Sequence, residues 1–191
     1  MHKPDAAMMP VYAAVSAAVL AASGSAFAAD YLSAAQARGL LLPGTTHWQE
    51  QRYGLTAEQI SAVAKLSGVN ARSAAWNVAH ALDAKGRYAG SVVVDQVIGK
   101  FELISYAVGL DANGAVSGIE ILSYRESHGS EIRLPAWRKQ FVGKTLAQSI
   151  KTGDDIALIS GATLSCSHVT DGVRRIVALL AVLRDTGQLP L

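Results

Sequence analysis

Residues 101–124 read FELISYAVGLDANGAVSGIEILSY, and this stretch decides the fold. Two apolar, β-branched runs, Phe101 to Leu110 and Ala115 to Tyr124, flank Asp111-Ala112-Asn113-Gly114, and Asn113-Gly114 can supply the positive φ that a tight hairpin needs. Working upstream, Ser91 to Val97 is rich in β-branched residues, and Trp76, Val78, His80 and Leu82 alternate with Asn77, Ala79 and Ala81. Asp83-Ala84-Lys85-Gly86 and Ile98-Gly99-Lys100 are the intervening turns. The pattern predicts an antiparallel meander of about four strands.

Helical signals surround it. Ser33 to Leu42 is an Ala-rich segment stopped at Pro43-Gly44, and Thr56-Ala57-Glu58-Gln59 is a capping box leading Ile60, Val63, Ala64 and Leu66 to an end near Gly68. Pro135 to Phe141 predicts a short helix stopped at Gly143. From Ser165 to about Arg184, Val169, Val173, Ile176, Val177, Leu180 and Leu183 share one stripe, with Asp171, Arg174, Arg175 and Asp185 expected off it. The fold class expected is α+β: an antiparallel meander packed with helices, the last a long amphipathic one. The absence of strand-helix-strand alternation argues against Rossmann-like and flavodoxin-like designs.

The chain has 191 residues, half of them hydrophobic, which can bury a real core. Lys+Arg 17 against Asp+Glu 15 gives no electrostatic case for nucleic acid. Cys166 is the only cysteine, so an intrachain disulfide and covalent c-type haem are both excluded, and an inert packed thiol is its expected role. His47, His80 and His168 lack Glu-rich or Cys-rich company at ligand spacing, so no metal is expected. Residues 1–28 carry an apolar stretch from about Val11 to Ala22 and an Ala26-x-Ala28 pattern, which reads as a signal peptide or an N-terminal anchor. Residues 29–191 are then one domain in a periplasmic or otherwise exported location, membrane-anchored if the leader stays uncut.

Immediately before the terminal helix stands Ile159-Ser160-Gly161-Ala162-Thr163-Leu164-Ser165. A small-residue turn feeding a helix N-terminus turns backbone amides toward an anion and suits a phosphate. The plainer alternative is that Ser160, Thr163 and Ser165 cap the helix. Glu126 and His128 could form a proton-handling pair, or simply a solvated loop.

Ser160-Gly161-Ala162-Thr163-Leu164-Ser165 resembles the flavinylation motif of the FMN-binding domain family, which includes the C subunit of the sodium-pumping NADH:quinone reductase and the G subunit of the Rnf complex. The order of neighbouring features agrees: Gly99-Lys100, Tyr106 to Leu110, Asn113-Gly114, Tyr124 to Ile132, Trp137 and Gln140-Phe141-x-Gly143-Lys144. The resemblance implies FMN joined covalently through its phosphate to Thr163 by a flavin transferase. It further implies a cofactor site built from Ser160, Gly161, Ala162, Leu164 and Ser165 together with Glu126, Ser127, His128, Gly129 and Ser130. The chain departs from the family pattern at Ala157, where an Asp is usual, and in the loop Glu126 to Ser130. The function implied is an exported electron carrier, rather than a self-sufficient oxidoreductase, working with a membrane-bound redox partner. The alternatives are a ligand-binding, sensor or assembly domain without covalent flavin, and a reductase of ferric iron or quinone.

Overall fold

The computed structural model describes residues 29–190, so the leader reading for 1–28 lies outside the described residues. In chain order the strands are β1 (Ala29–Asp30), β2 (His47–Gly54), β3 (Ala75–Leu82), β4 (Tyr88–Ile98), β5 (Leu103–Asp111) and β6 (Val116–Tyr124). The helices are α1 (Ala34–Leu41), α2 (Ala57–Ser67), α3 (Pro135–Arg138) and α4 (Thr163–Asp185). The strands form one antiparallel sheet in the order β1-β6-β5-β4-β3-β2, and the architecture is α+β as expected.

The predicted meander is β3 to β6, and the sheet extends beyond it at both edges. Strand β2 gives no alternating signal because it is an edge strand mostly in water, with Tyr53 its one buried side chain. In the β5–β6 hairpin the positive φ falls on Gly114 alone. Asp111 Oδ1 accepts the amides of Asn113 and Ala115, which closes the turn.

The sheet is covered on both faces. On one, α1 lays Ala37 and Leu41 over Val92, Ala107 and Leu122. Paired Gly109 and Gly118 leave room there; a Cβ on Gly109 would stand 2.8 Å from Leu41 Cβ. On the other, α2 and α4 bury Val63, Val169, Val173, Ile176 and Leu180 against Val78, Val93, Val108 and Ile121. Both capping boxes form, at Ser33 with Gln36 and at Thr56 with Gln59, and Gly68 ends α2 with φ 64.

One sequence expectation changes. Arg175 lies in the core, not off the apolar stripe: it is 2% exposed, with Nη2 on Asp95 Oδ2 at 3.0 Å. Helix α4 is packed by both the sheet and α2, so its buried face is wider than one stripe, and a charge there needs a partner. Trp48 on β2 is half-buried, with the Arg38 guanidinium 5.8 Å from its ring centroid. Trp137 and Phe141 pack inward, with ring centroids 5.1 Å apart, and Arg138 is held against Glu120.

Candidate functional site

Helix α4 begins at Thr163, two residues before the predicted start, and that shift governs the site. Ile159 to Ala162 forms a turn in which Ala162 N donates to Ile159 O at 3.0 Å, with Gly161 at φ 81. Ala162 occupies the N-cap, and no side chain caps the helix. Ser160, Thr163 and Ser165 therefore do not perform the capping role that their residue types suggest. The first amides of a 23-residue helix are left for an outside acceptor, and no acidic residue in the first turn offsets the dipole.

Thr163 is exposed on the wall of a cleft of about 510 Å³. The cleft brings together Gly161 to Ser165 on one side and Glu126, Ser127 and His128 on the other, with Lys100 and Phe101 completing it. That volume falls in the range of small-molecule sites, about 300 to 1,000 Å³. Of the sequence candidates, Ser160, Gly129 and Ser130 lie off this wall.

Gly129 has a different task. A Cβ there would stand 2.6 Å from both Ala162 Cβ and Tyr124 Oη, so only glycine lets the loop after β6 pack against the start of α4. Tyr124 pins the same junction: its hydroxyl donates to His128 O and receives Ser165 Oγ–H at 3.2 Å. Ser165 is thus buried and engaged in the scaffold. Tyr124 carries no signal of this role in the sequence, because its polar tip lies at the end of an otherwise apolar strand.

Glu126 braces the turn between β4 and β5. Its Oε1 accepts the amides of Phe101 at 2.6 Å and Glu102 at 2.9 Å. Burial pushes the Glu126 carboxyl up, but the amides of Glu102, Phe101 and Lys100 and the Lys100 charge outweigh it and hold its pKa below the usual value. It is a fixed carboxylate, and no hydrogen bond joins it to His128, whose Nδ1 lies 2.9 Å from Ser127 Oγ. Gly99 is required beneath it, since a Cβ there would come 2.5 Å from Glu126 Oε1. From α4, His168 Nδ1–H donates to Ile98 O at 2.5 Å and ties the same turn to the helix.

The turn so held presents Lys100, with Nζ 4.9 Å from the Phe101 ring centroid, and Phe101 itself, 75% exposed. In the sequence Gly99-Lys100 reads only as a turn. An exposed aromatic next to a cation is the signal that could have placed both residues at the site.

Helix amides, a lysine and two apolar side chains, Phe101 and Leu164, suit a ligand with a phosphate at one end and a flat aromatic body at the other. The donor set therefore fits FMN. Among the described residues, no group of three or more His, Cys, Asp and Glu is placed to hold a metal ion. Burial pushes the Cys166 thiol up, and the side chain is fully buried. Among the same residues no helix is long and apolar enough to cross a membrane.

The chain is 29% identical to the G subunit of the ion-translocating oxidoreductase complex of Aliivibrio fischeri (strain MJ11), over 48% of this chain and 50% of that protein. It spans about half the length of that curated relative. A solved structure, NqrC of Shewanella oneidensis, is similar with a TM-score of 0.47 and 16% identity over 72% of this chain and 84% of that one. Residues 99–178, which contain every residue of the cleft wall, match the FMN-binding domain family.

Proposed function

We propose that the chain is an exported flavin electron carrier, with FMN joined by a phosphoester to Thr163 Oγ1. The observation that carries this is the exposed Thr163 hydroxyl at the uncapped start of α4, on the wall of a cleft that also holds a lysine and an exposed phenylalanine. When bound, the flavin supplies one- and two-electron chemistry. The chain's own residues hold and shape its surroundings. The amides of Thr163, Leu164 and Ser165 receive the phosphate, Lys100 adds positive charge, and Phe101 and Leu164 give apolar surface. Glu126 stays ionised and keeps the Lys100 turn in place, so it acts as a brace and not as a proton donor.

A covalent tether retains the cofactor where lost FMN is not readily replaced. The relative's name, which places it in an ion-translocating oxidoreductase complex, supports a membrane redox assembly as the class of partner. Maturation requires a flavin transferase that uses FAD: the Thr163 hydroxyl loses its proton and takes the FMN phosphate as the pyrophosphate bond of FAD breaks and AMP leaves. Ala157, where the family usually has Asp, is exposed, while its amide donates to Gln140 Oε1 at 2.7 Å and its carbonyl accepts from Trp137 Nε1 at 2.8 Å. The segment before the motif is thus anchored through its backbone, whatever side chain stands there.

The test is intact mass and visible absorbance of the chain made with an export route and a flavin transferase. The expected result is one FMN on the Thr163 peptide that survives denaturation, lost in Thr163→Val with the fold retained. Colourless protein with unmodified Thr163 overturns the proposal. FMN that binds but leaves on denaturation overturns the ester and favours the reading without covalent flavin.

A further inference from the structure

The two edges of the sheet are finished differently. Along β6 the chain closes its own outer edge: β1 pairs with Ser123 and Tyr124, Tyr31 N donates to Leu122 O at 2.8 Å, and Arg138 Nη1 donates to Ile119 O at 3.0 Å. Val116 there bonds to Gly143 and Lys144 through its backbone. Strand β2, at the opposite edge, has no such cover. Its register with β3 is unbroken from His47–Leu82 to Gly54–Ala75, and the ladder continues as Leu55 N donates to Ala74 O at 2.7 Å. Bonded and non-bonded pairs alternate in an antiparallel ladder. The odd-numbered residues of β2 therefore bond to β3, while Trp48, Glu50, Arg52 and Gly54 turn their amides and carbonyls outward. Those groups have no backbone partner among the described residues, and all four residues except half-buried Trp48 are exposed. A bare edge of this kind is a template for another strand.

The residues along the edge select which strand. An antiparallel partner sets outward residue against outward residue, so a second copy can centre on Glu50 against Glu50, Arg52 against Arg52, or Glu50 against Arg52. The first two oppose like charges, which is destabilising. The third puts each Glu50 opposite Arg52 of the other copy, with Cα atoms about 5.5 Å apart. It also lays Trp48 beside Gly54 of the other copy, and aromatic–glycine pairing of this kind supports edge strands. Arg52 has no ion partner among the described residues. Glu50 gives Oε1 to Arg38 Nη1 at 2.8 Å, yet its side chain is 71% exposed, so the carboxylate still has room for a second cation.

We propose that the chain forms a two-fold dimer through antiparallel β2 strands, with Glu50 on Arg52 in both directions and the axis between the two Gln51 residues. The two sheets join into one. No residue of β2 lines the FMN cleft, so the pairing does not depend on flavin.

The test is sedimentation velocity of the purified chain over a concentration series, with and without FMN, and cysteine cross-linking to read the register. A concentration-dependent dimer is expected in both flavin states. Glu50→Arg and Arg52→Glu should each raise its dissociation constant about tenfold, because each turns two attractive pairs repulsive. An equimolar mixture of the two variants restores opposite charges at both pairs and should dimerise as the parent does, which also shows that both variants fold. Gln51→Cys should cross-link to itself on mild oxidation, since the residues at the axis stand about 4.5 Å apart at Cα, within disulfide reach. Gln49→Cys should not, its two copies being roughly 14 Å apart along the strands. Native Cys166 is buried and does not compete. A chain that stays monomeric up to about 1 mM leaves the edge to an extended segment of another protein and overturns the proposal. A dimer indifferent to Glu50→Arg, a mixture no better than either variant alone, or equal cross-linking at both cysteines also overturns it.

Discussion

Gly172→Ala tests how α4 is seated on the sheet. A Cβ at Gly172 would stand 1.8 Å from Tyr106 Oη and 2.7 Å from its Cζ. Ordinary contact is about 3.5 Å, so the phenol must retreat by roughly 1.5 Å. Tyr106 is fully buried in the sheet's middle and cannot swing into solvent. Its hydroxyl donates to Asp95 Oδ2, the oxygen that also accepts from buried Arg175, so retreat breaks a charge-assisted hydrogen bond. Overpacking costs about 1–3 kcal/mol and the lost bond about 1.5–3 kcal/mol, against about 1 kcal/mol gained from alanine's helix propensity. The net expectation is a loss of roughly 2–4 kcal/mol, or about 5–15 °C in Tm for a domain of this size. Urea denaturation at neutral pH, followed by fluorescence of buried Trp76 and Trp137, measures it. Adding Tyr106→Phe removes the oxygen and should restore part of the loss, leaving the tighter Cζ contact. A Gly172→Ala chain as stable as the parent, or stabilised by the propensity increment alone, refutes the reasoning.

His80 is fully buried, and burial holds its pKa down at about 4, below an ordinary 6.5. The unfolded chain therefore binds the extra proton first, and stability should fall as pH drops from about 6.5 toward 4, by up to about 3 kcal/mol, with His80→Asn flattening that limb of the pH profile. Glu126 runs through a lower window: its folded pKa is depressed, so its contribution is present above the ordinary carboxylate pKa and disappears as pH falls through the folded one. Glu126→Gln should cost about 1 kcal/mol at neutral pH and increase hydrogen exchange at the Phe101 and Glu102 amides; unchanged exchange there contradicts the brace. Cys166, buried at the first turn of α4, should resist thiol reagents in the native chain and react fully in denaturant; rapid native labelling would mean that the helix start opens.

Local sequence carried the elements whose physics is local. The capping boxes at Ser33 and Thr56, the Gly114 turn and the β-branched runs of β4 to β6 each declare themselves within a few residues, and all form. Strand β2 did not, because a solvated edge strand has no buried face to impose alternation on its residues. Thr163, Leu164 and the Glu126 loop were legible as candidates through the small-residue turn and the family resemblance. Their neighbours on the cleft wall, Lys100 and Phe101, were not, since nothing local says that a turn between two strands will face the start of a helix more than sixty residues later.

From the sequence alone come the fold class, the hairpin order, the long final helix and the motif at its start, because each rests on periodicity, turn chemistry or capping between near neighbours. Which residues meet was settled only when α4 docked on the sheet. Docking set Gly129 against Ala162 to close the site, left Thr163 outside, and drew Arg175 inside to Asp95, while the pairing of β4, β5 and β6 brought Glu126 onto the Phe101 and Glu102 amides as a brace. Those outcomes depend on close packing and on partners for buried charge, and both join parts of the chain that have no local means of signalling to each other.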